Sequence, residues 1–291
     1  MKRIVFRLFQ PAFVALIVLF WAVAPASWVN NTWTIFAAVT VTKIIIQGLE
    51  WVNERHVSWR MDRREFLTDL FYVILGVAII SKARKYTVDA SLKAAKHALG
   101  LSTPWIVHLP FLVQVMLIIV LIEFGQYWMH RLMHNSTPFW LTHAPHHHVT
   151  KLNAWKGAVG NPLELFLVGL SVITLFDFSL AALFCAGNVL TAVASFAHAN
   201  VRFDPPRWYS FFFTTIEHHS LHHSTDYEST RCNYANSLIL CDRVFGTFRE
   251  GEAEEVGQDE RKRLSIREQM LFPFVPLIDM IKARRAQTVV T

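Results

Sequence analysis

Apolar residues in this chain run in blocks long enough to cross a bilayer, not in the short alternations of a soluble core. Residues 5–24, 33–52 and 105–127 are each dominated by Leu, Ile, Val, Phe, Ala and Trp, with few charges. A helix rises 1.5 Å per residue, so a hydrocarbon core of about 30 Å needs about 20 such residues. The pattern therefore predicts spanning helices at these three places. Residues 66–80 form a shorter apolar stretch, interrupted by Asp69, which predicts a tilted, kinked or re-entrant segment. Residues 162–198 are apolar over a length that suits two slightly short passes, with Asp177 at the turn and His198 at the point of return.

Composition supports a membrane reading, since 53% of the 291 residues are hydrophobic and a soluble enzyme of this size is less apolar. The predicted fold class is all-α: a polytopic membrane protein with about four to six membrane helices and a histidine-bearing helical cap on the cytoplasmic side. Charge sets that orientation. Lys2, Arg3 and Arg7, then Arg55, Arg60, Arg63 and Arg64 two passes later, mark cytoplasmic loops, and Trp28 and Trp33 suit the far interface. Lys82, Arg84, Lys85, Lys93 and Lys96 run against the tendency and predict either an interfacial helix, with Leu92, Ala95 and Leu99 on one face, or a solvated loop. The basic start and small residues near Ala24 resemble a signal peptide, but the apolar run is longer than a usual signal core and further spans follow, which favours an uncleaved first helix.

The formal net charge of +6 fits flanks lying on anionic headgroups, and no separate basic soluble domain points to nucleic acid. Cys185, Cys232 and Cys241 make no C-x-x-C pair, which leaves out a cysteine-ligated iron–sulfur cluster, and no glycine-rich dinucleotide fingerprint is present. Electrons for any redox chemistry must come from another protein.

The chemistry sits in three histidine runs. His130 and His134 are four apart; His143, His146 and His147 follow; His219, His222 and His223 repeat the same H-x-x-H-H spacing. On a helix, residues three and four apart share a face. Each run thus offers convergent imidazoles, which would repel one another if protonated and suit a transition metal when neutral. A lone histidine is ordinarily a core or surface group; eight in three spaced runs are not. Eight imidazoles exceed the roughly four to six ligands that one ion takes and imply either two ions or a set in which some rings only support the ligands.

The pattern H-x3-H, H-x2-H-H, H-x2-H-H among long apolar segments resembles the fatty acid hydroxylase and sterol desaturase superfamily of membrane-bound, histidine-coordinated dimetal oxygenases, over residues 123–248. The closing segment is similar as well: Asn233 and Tyr234, then Asp242, Phe245, Gly246 and Thr247, although Ala235 stands where Gly is usual and Cys241 where Trp is. The resemblance implies His130, His134, His143, His146, His147, His198, His219, His222 and His223 as metal ligands, two iron ions, O2 as co-substrate and an external reductant. It implies an aliphatic lipid in the membrane as substrate, hydroxylated at an unactivated C–H bond or, alternatively, desaturated, and a separate ferredoxin- or cytochrome-type electron donor with its reductase. The expected location is a bacterial inner membrane or an endoplasmic reticulum.

Glu123, ahead of the first run, is expected to orient a ligand imidazole, with Asn200 and Asp226 as weaker candidates. His148 and His218 fall off the helical spacing and are read as neighbours of the site or surface groups; His56, His97 and His108 lie outside it. Asn161 stands where many relatives carry His before Pro. The chain divides into residues 1–104 (membrane segments), 105–249 (the histidine-bearing catalytic domain) and 250–291 (a tail whose charges form a solvated face and whose residues 272–281 can lie on the membrane), all one structural unit. A metal transporter is the rival reading, but transport would place ligands midway along spanning helices, and here the runs begin where apolar segments end.

Overall fold

The structure, a computed structural model, describes residues 2–281; Met1 and the last ten residues of the charged tail, 282–291, lie outside the described residues. Five helices are long and apolar enough to cross a membrane. We label these and the shorter helices that carry the site in chain order: α1 Lys2–Val23, α2 Thr32–Val52, α3 Arg63–Ala98, α4 Phe111–Asn135, α5 Thr137–His147, α6 Pro162–Val168, α7 Leu180–His198 and α8 Ile216–His222. No strand is formed among the described residues.

The starts of these helices follow from capping. Asn31, Asp62, Asn161 and Ser179 each turn a side-chain oxygen onto a backbone N–H of the first turn of α2, α3, α6 and α7. α7 is the inner post of the bundle: 56% of its most apolar stretch is buried, against 28% or less for the other spans. It is rich in Ala, with Gly187 and Ser195 besides, which lets α1, α2 and α4 approach closely. One polar relay ties three of them together, Trp21 Nε1 donating to Asn188 Oδ1 at 3.2 Å and Asn188 Nδ2 to Thr42 Oγ1 at 3.0 Å. The outward faces expose Leu16, Leu19, Ile44, Ile74, Met116 and Val120, the surface of a bundle solvated by lipid.

Two expectations change. The segment at 66–80 does not end there: α3 continues to Ala98 through π-helical turns at Gly76–Ile80 and Lys85–Asp89. Between Gly76 and Gly100 no glycine or proline interrupts a run rich in Ala and Lys, so the lysines are part of the helix and not a separate interfacial element or loop. Gly100, at φ +62°, stops it. The outward limb of residues 162–198 is also not a full helical pass. α6 has seven residues and gives way at Gly169 to irregular chain with a 3-10 turn at Ile173–Leu175. Asp177 nevertheless marks the far turn, its carboxylate bonding Lys96 Nζ at 2.5 Å and Thr103 N at 2.8 Å, and α7 brings the chain back.

The tail is less solvated than its charge pattern predicts. Arg263 pairs with Glu65 at 2.7 Å, Tyr72 donates to Gln269 at 2.7 Å, and Asn161 Nδ2 donates to Gln269 O at 2.8 Å and Met270 O at 3.1 Å. Asn161 is thus a structural clasp between α6 and the tail.

Candidate metal centre

Each histidine run lies at a helix end that emerges from the bundle on the same side. α4 delivers His130 and His134, α5 delivers His143, His146 and His147, α7 ends on His198, and α8 carries His219 and His222 with His223 directly after it. None of the nine is more than 6% exposed. The structure sorts them into two adjacent groups, His130, His134, His143, His147 and His222 in one and His146, His198, His219 and His223 in the other, ligand atoms within 4.8 Å of one another in each. Both H-x-x-H-H runs are split between the groups. Neighbours in sequence diverge by about 100° around a helix while i and i+4 coincide, so His143 and His147 face one group and His146 the other. The groups meet where the rings of His147 and His223 stack at 4.5 Å.

Hydrogen bonds fix which nitrogen points inward. Nδ1 of His130 lies 2.5 Å from Tyr234 O, that of His222 2.7 Å from Cys232 O, that of His146 2.7 Å from Val159 O and that of His198 2.8 Å from Ala194 O. A carbonyl only accepts, so in these four rings Nδ1 carries the proton and Nε2 presents a bare lone pair. His143 Nδ1 lies 2.7 Å from Glu164 Oε1, and His134 Nδ1 3.3 Å from Thr230 Oγ1.

The inward nitrogens then face one another. Nε2 of His130 is 3.1 Å from Nε2 of His222 and 2.8 Å from that of His143; His143 and His147 approach to 3.0 Å, and His198 and His219 to 2.9 Å. For His130 and His222, both tied to carbonyls, two lone pairs meet with no proton between them. A cation resolves that repulsion, since ligands at about 2.1 Å on one ion are separated by about 3 Å when adjacent. His134 Nε2 and both nitrogens of His223 are buried without a partner, a cost that metal coordination removes. The residues fit two metal ions, and the all-nitrogen donor set suits iron, zinc, copper or nickel.

Burial keeps these rings neutral. It lowers His143 and His222 from 6.5 to about 3 and drives His147, His219 and His223 well below their ordinary value, neighbouring imidazoles adding to the effect in all but His143. These are bases with depressed folded values. Below pH 6.5 the unfolded chain binds protons that folded His143 and His222 refuse until about pH 3, so stability falls as pH drops through that window. Metal-free protein is expected to lose melting temperature progressively from pH 7 to pH 5, and metal-loaded protein at least as steeply, because bound metal keeps protons off the folded rings while the unfolded chain still takes them up. Parallel thermal melts check this; a metal-free melting temperature flat across the range overturns it.

Asp242 shapes the loop that holds His130. Its two carboxylate oxygens accept from Tyr234 N and Ala235 N, both at 2.8 Å, and from Thr247 Oγ1 at 2.6 Å, which sets the Tyr234 carbonyl. Glu164 was not singled out by its sequence, although a carboxylate inside an apolar run is a signal in its own right. The anticipated helpers do other work. Glu123 accepts from Ser237 N and Leu238 N at 2.9 Å, and its other oxygen is buried without a hydrogen bond to any imidazole, although it lines the same cavity as four of them. Asn200 accepts from Arg55 N and His56 N and donates to His56 O, pinning the loop after α2. Asp226 accepts from Ser229 N and Oγ and steadies the turn carrying Thr230, one step removed from His134. His148 and His218 belong to neither group, but both are buried: His148 Nδ1 lies 3.1 Å from Lys262 O, and His218 Nδ1 3.3 Å from Thr215 Oγ1. His56 packs on Trp59 and Glu252.

A cavity of about 230 Å3 opens onto the histidines, lined by His130, His143, His146 and His198 with Glu123, Gln126 and apolar residues of α6 and α7.

Residues 115–247, which include all nine histidines, Glu164 and Asp242, match the fatty acid hydroxylase family model. The chain is 28% identical over 216 residues to the ornithine lipid hydroxylase OlsE of Rhizobium tropici, covering 71% of this chain and 64% of that protein. It is 29% identical over 138 residues to human alkylglycerol monooxygenase, 46% of this chain and 30% of that one, and 27% identical over 158 residues to a Delta(7)-sterol-C5(6)-desaturase of Nicotiana tabacum, 50% and 54%. The chain thus spans less than two thirds of each of these relatives. No solved structure matches it.

Proposed function

We propose that the chain, which carries a fatty acid hydroxylase domain over residues 115–247, is a membrane-bound di-iron oxidoreductase hydroxylating an aliphatic C–H bond of a membrane lipid. The observation that carries the proposal is the pairing of two buried imidazole groups with a cavity that Leu165, Val168, Leu190 and Ala194 wall on one side. When bound, two redox-active ions supply activation of O2 by external electrons. The overall balance is lipid C–H plus O2, two electrons and two protons giving lipid C–OH and water. The electrons come from a separate ferredoxin- or cytochrome-type donor with its reductase.

The protein's own share is positional. The carbonyls of Tyr234, Cys232, Val159 and Ala194 and the carboxylate of Glu164 hold the Nδ1 protons, so that Nε2 stays free and the rings keep their aim. Burial of all nine rings keeps water from the reacting centre. Leu165, Val168, Leu190 and Ala194 line the space beside His130 and His146, where a hydrocarbon chain is held with one carbon toward the centre.

Desaturation is the second reading, favoured by the likeness to the plant desaturase. Iron-loaded protein in detergent, supplied with reductant, a lipid extract and isotopically heavy O2, separates the two. Hydroxylation is expected, with one heavy oxygen retained in the product; an unlabelled product two hydrogens poorer would establish desaturation instead. Neither product from any lipid pool, with iron fully loaded, sinks both readings.

A further inference from the structure

A second cavity, of about 560 Å3, adjoins the first, walled by α2 and α3 and closed by α6. Gln126, Leu165 and Val168 line both, so an occupant of the outer groove reaches the histidines past these three side chains. Its walls are mainly apolar, including Phe36, Val39, Leu70 and Val73. Gly76 leaves it open, since a Cβ there meets nothing within 4 Å.

Three charged side chains lie in this groove: Asp69 is matched by an ion pair, and Lys43, which like Arg84 forms no ion pair among the described residues, spends its ammonium on two neutral oxygens. Lys43 Nζ donates to Ala154 O and Ser195 Oγ, each at 3.2 Å, and Asp69 pairs with Lys156 at 2.5 Å. Arg84 differs. Its Nη1 donates to Gly169 O at 2.5 Å, its Nε is buried without a partner, and among the described residues no carboxylate forms an ion pair with it. Asp89, one turn on, bonds Thr174 Oγ1 at 3.3 Å. Two local features keep Arg84 in place. A Cβ at Gly169 would fall 1.5 Å from Nη1, so only glycine lets the guanidinium lie against the end of α6. The π-helical turns Gly76–Ile80 and Lys85–Asp89 bracket the turn that carries it, re-aiming that turn within α3. Capping α6 uses one of five donors. At the edge of the apolar part of α3, between the exposed Lys82 and Lys85, this guanidinium keeps a buried Nε with no partner and no anion beside it, and its planar fork matches a carboxylate or phosphate.

We infer that the groove takes one hydrocarbon chain of an acidic lipid, its carboxylate or phosphate held by Arg84 and its chain led past Leu165 and Val168 to the histidines. Arg84 is then the residue that selects the substrate's head and sets which carbon reaches the centre. The inference rests on the lipid-oxidation reading above, but its test reads binding and metal content without turnover.

Tritiated hexadecanoate, hexadecyl phosphate and hexadecanol are titrated onto the metal-loaded, detergent-purified chain. At least one acid is expected to bind about tenfold or more tighter than the alcohol, and the tighter acid identifies the head. Arg84→Gln is expected to bring acid and alcohol to within about twofold with metal content unchanged, and Gly76→Leu, which fills open space, to weaken all three. Equal binding of acid and alcohol by the parent, an unchanged ratio in Arg84→Gln, or undiminished binding in Gly76→Leu overturns the inference. If Arg84→Gln does not fold, Arg84→Lys carries the test: a point charge without the fork lowers the ratio, whereas an arginine of purely structural role leaves it unaltered. Failure to oxidise any lipid while the ratio collapses as expected would fall on the reaction and not on the anchor.

Discussion

His147→Ala and His223→Ala are each expected to lower bound metal from about two ions per chain to about one or fewer and to remove turnover. One variant strikes the five-histidine group and the other the four-histidine group, at the point where their rings stack at 4.5 Å. Residues acting as a unit are strongly non-additive, so the double variant should be scarcely less active than either single one. Metal analysis gives a reading that does not depend on knowing the substrate. Glu164→Gln separates holding a metal from orienting its ligand. Glutamine still offers an oxygen to His143 Nδ1 but cannot take on the charge that Glu164, pushed up to about 8 by burial in the metal-free fold, would carry beside a bound cation to make this ring a stronger donor, and loss of such a partner costs about 10–100-fold in metal affinity. Excess iron should therefore restore Glu164→Gln and fail to restore His147→Ala. Two ions per chain in both alanine variants would remove the ligand assignment, and with it the proposed oxygenase chemistry.

The histidines were legible because their spacing is a property of one helix at a time: four apart means one face, whatever the rest of the chain does. How they divide between two ions was not, since His146 joins His198 and His219 only once α5, α7 and α8 have packed. The same limit hid the groups that aim the rings. Tyr234, Cys232, Val159 and Ala194 act through backbone carbonyls, which any residue supplies, and nothing in their side chains announces it. Glu123 misled for the opposite reason. A carboxylate one turn or two before a histidine run can reach an imidazole, yet here it serves the backbone of Ser237 and Leu238. Hydropathy located α1, α2, α4 and α7 well because their lengths answer to the bilayer. It failed on α3, where helix-forming lysines and alanines extend an apolar segment past the point at which hydropathy falls, and on α6, where Gly169 yields to Arg84 and a nominal pass becomes a short helix with irregular chain.

Lys156→Met is expected to destabilise the chain by about 3–5 kcal/mol, the largest effect of any substitution outside the histidine groups. Lys156 follows the second histidine run in a polar stretch of the sequence, yet its side chain is 1% exposed and pairs with Glu65 and with Asp69. Both carboxylates are nearly as buried as the lysine. Asp69 also accepts from Asn153 at 2.9 Å, and Glu65 pairs with Arg263 of the tail. Methionine matches the volume of the lysine stem but leaves two buried carboxylates facing one arginine and one amide. The damage should reach the metal. Lys156 opens the turn Lys156–Ala158, and the next residue, Val159, offers the carbonyl that holds His146 Nδ1. Thermal melts of the metal-free proteins should show a fall of roughly 10 °C for Lys156→Met, and metal titration a weaker second site. Removing all three charges, Lys156→Met with Glu65→Gln and Asp69→Asn, should recover much of the loss, because a buried pair replaced by neutral groups of similar size is often tolerated while half a pair is not. A triple variant less stable than Lys156→Met would show that packing, and not the uncompensated charge, governs this corner of the fold.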